Sequence, residues 1–177
     1  IKEVQKAGAI FDLTKLEWVN SQHLSNLTLD EFKDHLKPFL SKININIENH
    51  SNVNLLISAM RSSENTLAGI AESLAPYYND ELIYDTNAID KFLSDNTIIL
   101  NDIKDILLDI EDWTEDNLEN ALKAYQADKN LPIPKVNQPI RIALTGSTKS
   151  PSLGLTLSIF GKDSAIKRIE ALIAFLQ

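Results

Sequence analysis

The residues that could do chemistry here are three histidines, a scatter of Asp and Ser, and one Lys-bearing glycine turn. A zinc site or a general base needs imidazoles at helical spacing, but His23, His35 and His50 stand in unrelated contexts with no H-x-x-x-H pair. They read as solvated or core side chains. Asp102, Asp105 and Asp109 share one face of a helix, which suits a solvated face better than a divalent-cation site. No spacing nominates a Ser/His/Asp triad, and the absence of cysteine excludes a thiolate nucleophile, Cys-ligated metal and disulfides. The turn Gly146-Ser147-Thr148-Lys149-Ser150 ends like a phosphate-binding loop. It lacks the upstream glycine of G-x-x-x-x-G-K-[ST] and a preceding buried strand, so it is a polar turn between two helices, where anions meet backbone N–H groups. No catalytic and no metal-ligating residue is assigned.

The elements that must position this turn are helices. Five glycines in 177 residues and recurrent i, i+3, i+4 apolar spacing predict an all-α chain. Thr28 and Glu31 form a capping-box pair ahead of the stripe Leu29, Phe32, Leu36, Phe39 and Leu40. Leu55, Leu56, Ala59 and Met60 mark a second helix; Leu67, Ile70, Ala71 and Leu74 mark a third, which Pro76 ends. One long helix is expected over 86–110, then another capped by Thr114 that buries Leu118, Leu122 and Tyr125, with Trp113 as a hydrophobic staple. Leu131-Pro132-Ile133-Pro134 reads as an extended connector, and Pro139 as the N1 residue opening 140–144. Ser150 and Pro151 read as the next N-cap and N1, Leu153 as core, Gly161 as a C-cap, and 163–176 as the final helix.

Composition bounds the partners. The net charge of −8 argues against nucleic acid, and no apolar run reaches the length of a membrane span. The total conceals a gradient, however. Residues 1–75 carry 7 basic and 9 acidic side chains, residues 76–128 carry 3 and 14, and residues 129–177 carry 7 and 2. A polyanion repelled by the middle can still meet the basic end. The opening Ile1 predicts a piece of a longer protein, cut between domains.

Three stretches in register resemble the C-terminal half of bacterial glutamate–tRNA ligase, the class I glutamyl-tRNA synthetase. Phe11-Asp12-Leu13-Thr14-Lys15-Leu16-Glu17-Trp18-Val19-Asn20 is similar to the family's F-D-x-x-K-L-x-W-x-N. Gln138-Pro139-Ile140-Arg141-Ile142-Ala143-Leu144-Thr145-Gly146 is similar to Q-P-L-R-x-A-L-T-G, and Gly161-Lys162 with Lys167-Arg168-Ile169 to the ending G-K-E-R-x-x-x-R-L. The resemblance implies two consecutive helical-bundle (α-helix cage) anticodon-binding domains, at 27–78 and 79–177, after a remnant of the stem-contact region at 1–26. The catalytic H-I-G-H-like and K-M-S-K-S-like motifs are absent. The chain is thus expected to be a ligase fragment, inactive alone, with no cofactor; ATP and Mg belong to the missing catalytic domain.

Carried over residue by residue, the resemblance makes Arg141 the arginine that engages the first anticodon base. A planar guanidinium can stack on a splayed base and fork to its edge. Ser150, Pro151 and Leu153 fall on the turn against the same base. Ser63 falls where discriminating members carry an arginine that reads the last anticodon base, with Arg61 two residues upstream able to substitute for it or to cap its helix. Lys149, Lys162, Lys167 and Arg168 are phosphate-contact candidates or cations at helix ends; Trp18 is expected in the core. The expected partner is glutamate tRNA, with glutamine tRNA left open, for a cytoplasmic monomer binding neither DNA nor membrane. The alternative reading is a helical protein–protein adaptor using the acidic 76–128 face.

Overall fold

The computed structural model describes residues 12–47, 52–61, 64–93 and 97–177. Ten α-helices and a 3-10 turn make up their regular structure: α1 (Leu13–Asn26), α2 (Leu29–Lys42), α3 (Val53–Arg61), α4 (Leu67–Leu74) with the 3-10 turn Ala75–Tyr77, α5 (Thr86–Phe92), α6 (Thr97–Leu108), α7 (Glu115–Asp128), α8 (Ile133–Thr145), α9 (Leu153–Phe160) and α10 (Lys162–Phe175). The all-α expectation holds among these residues. The helix starts follow from side chains that satisfy otherwise orphaned N–H groups. Thr28 and Glu31 make both bonds of the capping box, and Thr114 accepts from the Asn117 N–H.

Two apolar cores form. Phe32, Leu36, Leu40, Leu56, Ile57, Met60, Ile70 and Leu74 close the first, from α2, α3 and α4. The second gathers α5 to α10 around α8, which packs against every other helix of the group and touches the 3-10 turn of the first. Helix α9 (LGLTLSIF) is apolar nearly all round, as a helix enclosed on all sides must be. Leu153 and Leu157 enter the second core, while Ile159 and Phe160 reach the first. Gly154 lets α9 approach α7 closely, for a Cβ there would lie 2.6 Å from the Glu115 carbonyl oxygen.

Several expectations are corrected. The 86–110 helix is two helices: Leu93 leaves helical geometry to bury its side chain in the second core. Helix α8 starts at Ile133, with Pro132 as N-cap and Pro134 in the first turn, where its missing N–H is not needed. Pro139 therefore lies inside α8, giving no N–H to the Lys135 carbonyl four residues back. The N-cap of α9 is Ser152, whose hydroxyl accepts from the Leu155 N–H, and not Ser150. Trp18 is 60% exposed rather than core. Trp113 packs on the second core and donates its indole N–H to the Leu157 carbonyl at 3.0 Å.

Candidate functional site

Helix α8 ends at Thr145, and Gly146 turns the chain in left-handed conformation at φ +75°. Arg141, one turn earlier, reaches forward to the segment that follows. Its Nη1 donates to the carbonyls of Ser150 (2.7 Å) and Pro151 (2.6 Å) and touches the Ser150 hydroxyl. Thr145 donates its hydroxyl back to the Arg141 carbonyl at 2.9 Å. The turn is thereby fastened to the helix that precedes it. Arg141 is half-buried, and that burial lowers its pKa from the usual guanidinium value against the opposing pull of Tyr77 and Glu119. It remains a cation at neutral pH, as guanidinium groups do. Among the described residues, its Nε and Nη2 have no hydrogen-bond partner.

The turn also meets the first core. Lys149 Nζ lies 3.2 Å from the Glu64 carboxylate, which Ser73 also approaches with its hydroxyl at 3.3 Å. Between them opens a cleft of about 410 Å³ lined by Glu64, Glu72, Ser73, Asn79, Glu81, Thr145 and Lys149, among others. A smaller cavity of about 150 Å³ is lined by Met60, Glu64, Ser73, Lys149 and Ser150. Three carboxylates against one ammonium make the larger cleft a poor place for a phosphate and a better one for an uncharged base edge.

The remaining expected residues are placed differently. Arg61 ends α3 and gives Nη2 to the carbonyls of Leu24, Ser25 and Leu27, at the end of α1, with its guanidinium 4.6 Å above the Phe32 ring. It caps a neighbouring helix and not its own. Ser63 lies outside the described residues, as do Phe11 and His50. Leu153 is core, 3% exposed. Lys162 caps the end of α6 through the carbonyls of Leu108 and Ile110. Lys167 is exposed. Arg168 is 8% exposed and donates to the carbonyls of Leu144, Pro76 and Asn79, so as a phosphate contact it is corrected to an internal clasp.

Two site residues escape the sequence reading. Glu64 stands beside Ser63, and its charge next to a position that the family resemblance singles out is the available signal. Tyr77 follows Pro76 at the end of α4; its ring stacks on Phe160 at 4.8 Å and 9°, and its hydroxyl is 3.4 Å from that of Thr156. Burial pushes the Tyr77 phenol up to about 12. In the unfolded chain it ionises near pH 10, so the folded form keeps a proton that the unfolded form sheds. Its contribution to stability should therefore fall as pH rises from 10 to 12, by at most about tenfold per pH unit in the folding equilibrium, and burial raises Tyr78 and Tyr125 likewise, so they add to the loss. Denaturant titrations across that range should show a shallower fall in Tyr77→Phe; an identical fall would refute the assignment.

A family model described as the anticodon binding domain matches residues 31–173. Glutamate–tRNA ligase of Thermus thermophilus is 31% identical over 174 residues, which are 98% of this chain and 37% of that protein. Its counterpart in Myxococcus xanthus is 30% identical over 171 residues, 96% of this chain and 36% of the relative. The chain thus spans little more than a third of the curated relatives it matches. The crystal structure of a glutamate tRNA ligase from Elizabethkingia meningosepticum in complex with its amino acid superposes with a TM-score of 0.77 at 22% identity, covering 98% of this chain and 34% of that one. The glutamate-tRNA synthetase of Elizabethkingia anophelis gives 0.73 at 22%, over 97% and 33%. The helical fold is shared with both.

Proposed function

The chain belongs to the anticodon-binding domain family, and from that premise we propose that it holds the anticodon loop of glutamate tRNA for a longer glutamate–tRNA ligase. Arg141 carries this reading. One nitrogen of its guanidinium secures the 150–151 turn, leaving Nε and Nη2 to fork to the edge of the first anticodon base. The acidic lining of the neighbouring cleft favours bases inside and phosphates outside. Of the four cations considered for phosphate, Lys167 is the exposed one without an internal partner among the described residues, while Lys149 is exposed but paired with Glu64.

The family membership favours RNA over the adaptor reading of the acidic 76–128 face. Glutamate activation with ATP and Mg is assigned to the remaining part of the ligase. Among the described residues no three His, Cys, Asp or Glu side chains group as a metal site. No described helix is long and apolar enough to cross a membrane.

The test is a titration of the chain with the anticodon stem-loop of glutamate tRNA and with a version whose first anticodon base is changed. Binding to both should weaken between about 50 and 200 mM salt as counterion release loses its advantage. The altered loop should bind more weakly at either salt concentration. Equal affinity for the two RNAs at both concentrations would sink the proposal.

A further inference from the structure

Among the side chains that join the two cores, Arg168 combines several contacts. Arg168, on α10, donates Nη1 to the Leu144 carbonyl at 2.9 Å. Its Nη2 donates to the carbonyls of Pro76 at 2.9 Å and Asn79 at 2.7 Å. These acceptors lie in the last turn of α8 and in and just after the 3-10 turn that ends α4, where helical carbonyls lack intrahelical partners. One rigid fork thus satisfies helix ends from both cores. Its Cζ also lies 4.4 Å from the centroid of the Phe160 ring, which stacks on Tyr77. Leu144 is three residues beyond Arg141 on the same helix, so whatever holds that helix end also sets where Arg141 and its turn stand relative to the first core.

We propose that Arg168 is a positioning residue for RNA recognition: it touches no RNA, and it fixes the angle between the two helical units and with it the span between the Arg141 turn and the Glu64–Ser73 wall of the cleft. This rests on the function proposed above for the effect on RNA, but not for the angle itself. The rigidity of the fork matters. A guanidinium is planar and reaches several acceptors at set directions, whereas an ammonium is a point donor on a flexible stem. Burial makes the arrangement exacting, since a carbonyl left without a donor inside the protein is costly.

The chain has no cysteine, so Asn54→Cys on α3 and Ala124→Cys on α7, both exposed, supply a unique pair for spin labels. The distance distribution between them should be narrow in the otherwise unaltered chain and should broaden or shift in Arg168→Gln and in Arg168→Lys. Affinity for the matched anticodon stem-loop should fall by about fivefold or more. The slope of log affinity against log salt should stay unchanged, whereas loss of a phosphate contact would lower it by about 0.7 to 0.9. A wild-type distance distribution in either folded variant, or a slope reduced by that amount, overturns the proposal. An Arg168→Lys chain that does not fold also overturns it, because the side chain would then hold the core and not the angle. The distance arm uses no RNA, so it decides about Arg168 even if the unaltered chain fails to distinguish the two stem-loops.

Discussion

Arg141→Ala should reduce affinity for the glutamate anticodon stem-loop by roughly ten- to hundredfold, in line with about 1–3 kcal/mol for a bidentate contact to a base. The difference in affinity between the matched loop and one altered at its first base should nearly vanish. The two effects belong together: an alanine loses the fork that reads the edge and releases the Ser150 and Pro151 carbonyls that Nη1 holds. Arg141→Lys separates these contributions. A lysine keeps the charge and can reach one of the carbonyls, but it cannot present paired donors to a base. It should restore part of the affinity, with most of the salt dependence, and little of the discrimination. Fluorescence anisotropy with both stem-loops checks all three outcomes. Discrimination by Arg141→Lys equal to that of the unaltered chain would place the reading of the base elsewhere.

Arg141 also shows how far sequence reasoning reaches. The role proposed for it follows from the resemblance carried by the Gln138–Gly146 stretch, and its neighbours in the 150–151 turn are close in sequence, so the local geometry is nearly all short-range. The capping box at Thr28 and Glu31 and the cap at Thr114 are legible for the same reason, since donor and acceptor are three residues apart. Helix α8 is a case where a local cue misleads. Proline favours N1, which points to Pro139, yet Val136, Ile140, Ala143 and Leu144 already mark one buried face that starts earlier. Burial of that face outweighs one missing backbone bond. Arg168 marks the opposite limit. Its acceptors are 24 to 92 residues away, so the sequence offers a phosphate contact or a cation at a helix end and does not say which helix ends it serves. Trp18 fails in the other direction, because a large aromatic two residues after Leu16 suggests a core while only Leu24 of α1 is buried.

The turn that Arg141 fastens depends on Gly146 even more directly, and Gly146→Ala should destabilise the chain by about 3 kcal/mol. Two costs combine. At φ +75° an L-residue pays roughly 1–2 kcal/mol for crowding between its own Cβ and the backbone. In addition, the new Cβ would lie 2.4 Å from the Ile83 carbonyl oxygen. That oxygen belongs to backbone and cannot rotate away as a side-chain tip would, so residues 82–85 must move as a unit. Overpacking of this kind typically costs about 1–3 kcal/mol. The movement also endangers the 2.8 Å bond from the Asp85 N–H to the Gly146 carbonyl, just where Asp85 caps α5. Gly146→Asn divides the two costs, for asparagine tolerates the left-handed region while still carrying a Cβ. It should recover the backbone share of roughly 1 kcal/mol and no more. Urea unfolding of the three chains reads this directly. An alanine variant within about 0.5 kcal/mol of the unaltered chain would mean that the strap at 82–85 yields freely. Full recovery by asparagine would mean that backbone conformation, and not the contact with Ile83, is what reserves this position for glycine.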